Sequence, residues 1–331
     1  MAGAGVLSAI PEGATAFLDG AGWRGGQVEP LPGDASFRGY YRVRRGDETA
    51  MLMHAPPPHE DPAPFLRVGR WLLEQGLRAP RIHAEDAGRG FVLLEDFGDD
   101  RLREHLDEHG AQAERETYSR AIDALIALQA RGPGPFPPYD LDTYLREADL
   151  FVEWFCPAAD LVVDRQGWTN AWREVLTPLL DRQRPGVTVL RDYHAENIML
   201  LPGGGQGIID FQDALVGHAA YDLVSLLQDA RRDVGEELER QMLDRYVAAV
   251  DPGPLFLADY ARLGAQRNAK IVGIFSRLHR RDGKPRYLAM IPRVWDAMER
   301  DLAHPELAPV ERWFAANVPP HIRDNRGGEL Q

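Results

Sequence analysis

Three things are scarce in this chain. Of its 331 residues only Cys156 is a cysteine, so neither an intrachain disulfide nor a cysteine-cluster metal site can hold the fold together. No run of about 18 apolar residues exists, which excludes a spanning helix and makes a membrane partner unexpected. Lysine is reduced to Lys270 and Lys284, so nearly all of the 38 basic side chains are arginine. Chemistry that a lysine normally performs must therefore be done otherwise anywhere before residue 270. The first ten residues lack a basic n-region and their apolar stretch is too short for a signal peptide, so a cytosolic location is expected. With 51 acidic residues the formal charge is −13, the wrong sign for a nucleic-acid binder.

What remains is ordinary for a globular protein: 44% hydrophobic and 27% charged residues, in a chain long enough for one large or two smaller folded units. Two proline-rich stretches, residues 54–64 and 132–138, cannot hold a ladder or a helix and must be loops. Between residues 37 and 53, β-prone segments flank Arg45-Gly-Asp-Glu48, a hairpin signal. Residues 65–75 read as a helix stopped by Gly76, and residues 90–96 as an apolar strand with an acidic end. After Gly98 the period becomes helical, as in Tyr118, Ile122 and Leu125, or Leu238, Met242, Tyr246 and Val250. The expected fold class is α+β: a small β-rich lobe over residues 1–98, a larger helical lobe over 99–316 interrupted by one hairpin at 187–211, a cleft between them, and a frayed tail over 317–331.

The most informative segment begins Leu190-Arg-Asp-Tyr-His-Ala-Glu-Asn197 and ends Ile209-Asp-Phe-Gln212. Strands at 198–201 and 206–209, joined by Gly203-Gly-Gly205, would bring Asp192, Asn197 and Asp210 to one end of a two-stranded ribbon. Phosphoryl transfer asks for such a set, because its transition state needs positioning and charge neutralisation more than covalent help. Asp192 would orient or deprotonate the attacking hydroxyl. Asn197 and Asp210 offer the oxygen ligands that Mg²⁺ prefers. Asp-x₄-Asn followed by Asp-Phe is the kinase catalytic pattern, here without the leading His and with Gln212 in place of Gly.

With Asp192-Tyr-His-Ala-Glu-Asn197, Ile209-Asp-Phe-Gln-Asp-Ala214 and Gly217-His-Ala-Ala-Tyr-Asp-Leu223, the chain resembles the aminoglycoside phosphotransferase family, the small-molecule branch of the protein-kinase-like fold. The resemblance runs from about Phe17 to Phe314. Within the family, Gly33-Asp-Ala-Ser-Phe-Arg38, Met53-His-Ala-Pro-Pro57 and Arg267-Asn-Ala-Lys-Ile-Val-Gly-Ile-Phe275 are similar to the bacterial anomeric kinases of N-acetylmuramate and N-acetylglucosamine, which act in cell-wall recycling. The resemblance implies a two-lobed kinase using ATP and Mg²⁺ on a small sugar. It makes the segment with Gly33, Ser36, Phe37 and Arg38 a phosphate loop and Glu95-Asp-Phe97 the adenine hinge. On the acceptor side, His194 either orients the catalytic loop or contacts substrate, and Arg267, Asn268 and Lys270, from a basic segment, are the candidate contacts.

Kinases place a lysine on the third strand for the nucleotide phosphates; the matching strand here reads Ala50-Met-Leu-Met-His-Ala55, leaving Arg38, Arg42 and His54 as replacements. Asp222 follows Asp210 by only twelve residues, too few for a peptide-docking activation segment, so the acceptor is a small molecule. Asp222 itself reads as an N-cap or scaffold residue. Residues 262–293 hold nine basic side chains and one acid, Asp282, a segment that would suit a neutral or anionic sugar if it faces the cleft. Trp154, Trp168 and Trp172 are either sugar-stacking or core. The alternatives are an aminoglycoside or other small-alcohol kinase, and a nucleotide-binding pseudokinase.

Overall fold

The computed structural model describes residues 10–32, 37–328 and 330, and the chain divides into two compact units. The first combines the residues up to His105 with Glu196–Asp213, and the second comprises Leu106–Ala195 and Ala214–Gln331. The division differs from the expected boundary at residue 98 in taking a later hairpin into the first unit.

In the first unit, β1 (Gln27–Pro30), β2 (Gly39–Arg45), β3 (Glu48–His54), β4 (Ile82–Asp86) and β5 (Phe91–Glu95) form an antiparallel sheet in the order β1-β2-β3-β5-β4. The expected hairpin is present, with Arg45 opposite Glu48 and Tyr40 opposite Met53. Side chains alternate across the pleat. Tyr41, Val43, Ala50, Leu52, Phe91 and Leu93 pack on one face against Phe17 and Leu18 of α1 (Ala14–Gly20). Tyr40, Arg42, Met51 and Met53 thereby take the other face. Helix α2 (Ala63–Glu74) ends before Gly76, whose φ of 73° supplies the left-handed turn.

Strands β6 (Val187–Val189), β7 (Ile198–Leu200), β8 (Gln206–Ile208) and β9 (Leu215–Gly217) form two small pairs, β7 with β8 and β6 with β9. Only the first was expected. It joins the first unit because its free backbone groups bond there: Ile208 N–H donates to the Arg78 carbonyl and Leu200 N–H to that of Asp100.

The remaining helices are α3 (Leu102–Gln129, broken at Gly110), α4 (Leu141–Leu150), α5 (Cys156–Ala158), α6 (Arg165–Arg182), α7 (Ala220–Leu227), α8 (Glu236–Val250), α9 (Phe256–Arg280), α10 (Ile291–Leu302), α11 (Ala308–Asn317) and α12 (Pro320–Asp324). Helix α9 is the buried axis of the second unit, packed by α4, α7, α10 and a π-helical turn at Phe151–Phe155. Gly273 permits that approach: a Cβ there would lie 2.3 Å from the Leu150 carbonyl, which is backbone and cannot swing aside. A Gly273→Ala chain is expected to lose about 1–3 kcal/mol by overpacking, read as a lower thermal midpoint. Trp168 and Trp172 are core, packed among Phe151, Trp313 and Phe314, and so are not sugar platforms. The segment expected as a frayed tail carries α12, buries Ile322, and pairs Arg323 with Glu299 and Glu311.

Candidate active site

The first unit holds the two metal-ligand candidates together. Asn197 ends a short 3₁₀ turn at Ala195–Asn197, directly before β7, and Asp210 follows β8, so the β7–β8 pairing brings them side by side. The Ile209 N–H donates to the Asn197 carbonyl at 3.0 Å, and the two side chains stand 3.4 Å apart. Asp210 has φ 59°, a left-handed conformation that a short polar side chain tolerates, and Gln212 Nε2 donates to its Oδ1 at 2.9 Å. Phe211 is fully buried and stacks on Phe65 of α2 at 4.9 Å, which anchors the turn bearing Asp210. A carboxylate beside an amide suits a hard cation that completes its shell with phosphate oxygens and water. Among the described residues no cluster of three or more His, Cys, Asp and Glu side chains could form an all-protein cage.

The nucleotide-side residues sort differently. Gly33 and Ser36 lie outside the described residues. Phe37 is exposed and stacks on His59. Arg38 pairs with Glu60 at 3.4 Å. Arg42 is buried, not a solvated strand residue, and ties down the segment after β5 through Asp96, Asp99 and the Gly98 carbonyl. His54 stacks on Phe91 at 4.7 Å, and burial lowers its pKa, which disfavours the charged ring. Glu95 is held by Arg78, whose hydrogen bonds lower its carboxyl pKa, and its N–H donates to the Arg81 carbonyl. The Arg78 guanidinium lies over the Phe97 ring.

The second unit holds Asp192. The preceding residue, Arg191, has φ 72°, a costly conformation for a long side chain that its surroundings over-determine. Asp222, fully buried in α7, accepts the Leu190 and Arg191 N–H groups at 2.7 and 2.9 Å, while Ser225 donates to the Arg191 carbonyl. Burial pushes the Asp222 carboxyl up to about 7, against the pull of those two donors. Asp222 is therefore a scaffold, and not an N-cap, since Ala219 precedes the helix. Asp229 likewise accepts the Ala195 N–H, and Arg231 lies 3.2 Å from His194 Nε2. Burial raises the Asp192 pKa, but the field of His194, Lys270, Arg267 and Arg191 outweighs it and holds the carboxyl below its ordinary value.

Sequence reasoning missed two members of this group. Glu147 on α4 is buried and bonded by Arg191, Lys270 and Tyr139. The available signal was an acid inside the stripe Tyr144, Leu145, Ala148. Asp229 had no such signal.

The model for the phosphotransferase enzyme family matches residues 27–264. The chain belongs to that family. It is 38% identical to the N-acetylmuramate/N-acetylglucosamine kinase of Caulobacter vibrioides, over 93% of this chain and 96% of that one. It is 39% identical to the protein of the same name from Pseudomonas aeruginosa, over 88% of each. Among solved structures it resembles choline kinase of Streptococcus pneumoniae, with a TM-score of 0.61, 13% identity, and 85% and 93% of the two chains covered. The fold is thus the kinase-like one that the resemblance implied.

In this phosphotransferase part of the basic segment is paired with acids of its own unit. Arg262 pairs with Asp259 and Glu306, Arg281 with Asp282, and Arg293 with Asp233. Arg267 and Lys270 are the members whose charge reaches Asp192. Arg267 donates to Ser225 at 2.8 Å. Asn268 instead joins a separate buried network with Gln228 and Asp301.

Proposed function

We propose that the protein is an ATP-dependent kinase that phosphorylates the anomeric C1 hydroxyl of N-acetylmuramate and N-acetylglucosamine in the cytoplasm, within cell-wall recycling. The observation that carries this reading is the kinship with proteins of that name along nearly the whole chain, beside a retained Asp192, Asn197 and Asp210. In the reaction the acceptor oxygen forms a bond to the γ-phosphorus, the bond from that phosphorus to the β-phosphate oxygen breaks, and ADP leaves. Asp192, kept ionised by its cationic neighbours, takes the hydroxyl proton. Asn197 and Asp210 would hold Mg²⁺, which neutralises charge developing on the phosphate oxygens. His194, Arg267 and Lys270 supply the acceptor side with positive or hydrogen-bonding groups, suited to a sugar bearing a carboxylate.

The test is Mg²⁺-dependent ADP release with N-acetylmuramate, N-acetylglucosamine and kanamycin as separate acceptors. Turnover with the acetylated sugars, giving a product labile to mild acid as an anomeric phosphate should be, is the expected result. Turnover with kanamycin alone would move the protein to antibiotic modification. Silence on all three would remove the sugar-kinase reading.

A further inference from the structure

We infer that Arg38, braced by Glu60, is the cation that receives the nucleotide's phosphates in place of the strand lysine that this chain lacks. The inference rests on the ATP reading above and concerns one side chain within it.

The argument begins with the pleat. Residues of β3 that share a face with α2 and the Asp210 turn are Met51 and Met53, because Ala50 and Leu52 pack on the opposite face with α1. Neither thioether can neutralise a phosphate. On the neighbouring strand Tyr40 is paired with Met53 and Arg42 with Met51, so β2 presents its polar groups on that same face. Arg42 is consumed by Asp96, Asp99 and Gly98, and the His54 ring is stacked on Phe91. Arg38 is left. It lies two residues before Tyr40, immediately ahead of β2, and its charge and that of Asp210 both act on the Tyr40 hydroxyl.

The pairing supports the same role. Arg38 Nε is 3.4 Å from a carboxylate oxygen of Glu60, and both side chains are mostly shielded from water. Kinases hold their phosphate-binding lysine in an ion pair with a glutamate of the helix after the third strand. Here the carboxylate comes from the loop just before α2 and the cation from the residue just before β2. A guanidinium also presents a fork of donors that matches phosphate oxygens better than an ammonium.

Calorimetric titration of the full chain with MgADP and with adenosine separates a phosphate contact from the rest of the site. Arg38→Gln is expected to weaken ADP about ten- to a hundredfold while adenosine binds as before, since one charge-assisted contact is lost. Unchanged adenosine binding also certifies that the sheet is folded. Glu60→Gln keeps the cation but frees it, and should weaken ADP by about threefold to tenfold with adenosine again unchanged. An Arg38→Gln chain that prefers ADP over adenosine as strongly as the natural chain overturns the assignment and leaves the kinase reading standing. If the natural chain binds neither ligand, the ATP reading fails and the assignment fails with it.

Discussion

Replacing Asp192 by Asn should lower kcat about 10²–10⁴-fold while leaving KM for ATP within about threefold of its natural value. Asparagine keeps the volume but cannot take the acceptor's proton, and it removes the anion that the surrounding cations favour. Steady-state ADP release at saturating sugar measures this; a variant retaining more than about a tenth of natural turnover would show that Asp192 is no base. The pH profile gives a second readout. Cations near Asp192 favour its ionised form, so removing one, as in Lys270→Met, raises its pKa and shifts the acid limb of kcat/KM toward higher pH. A limb that stays in place would mean that another group owns it.

Local patterns were readable from the amino acids and distant ones were not. The β2–β3 hairpin carries period-two alternation on both sides of Gly46, and α2 carries an apolar stripe closed by Gly76, so a window of a dozen residues suffices for each. The β6–β9 pair has three residues per strand, too few for any period, and its partners are separated by the entire catalytic segment. The β7–β8 hairpin was readable as a hairpin, but its allegiance depends on carbonyls of Arg78 and Asp100, far upstream in the chain. Arg323 fixes the C-terminal helix by reaching Glu299 and Glu311, which composition alone does not reveal.

The same distinction runs through the site. Asp192, Asn197 and Asp210 have a spacing set by one turn and one hairpin, so this candidate set is legible locally. Glu147 and Asp229 act on the catalytic segment from helices or turns elsewhere in the chain, and nothing in their own neighbourhoods names that partner. Charge counting over residues 262–293 is incomplete for a related reason: a sum over a window ignores acids such as Asp233 and Glu306 that fold back onto it. The local excess therefore overstates the field available to a sugar.

One of those ion pairs has the largest expected effect on stability. Asp259 is buried on α9 and receives Arg182 Nε at 2.7 Å and Arg262 at 2.7 Å, with His218 at 3.4 Å. Burial raises its pKa, but the hydrogen bonds of Arg182 and His218 and their charges more than reverse this, holding the carboxyl far below the usual range. Asp259→Asn would leave Arg182 without its anion and Arg262 with Glu306 alone, and should destabilise the second unit by about 3 kcal/mol, the low end for breaking a buried pair, read as a lower thermal midpoint near neutral pH. The sign of the pH dependence follows from the depressed native pKa. Asp259 contributes its full stabilisation above the unfolded carboxyl's value of 3.8 and loses it as pH falls through the native one. The gap between natural and variant chains should therefore narrow below about pH 4. A gap under about 1 kcal/mol at neutral pH, or one that stays constant on acidification, would mean that the guanidiniums find other partners and that Asp259 does not anchor α9 to α6.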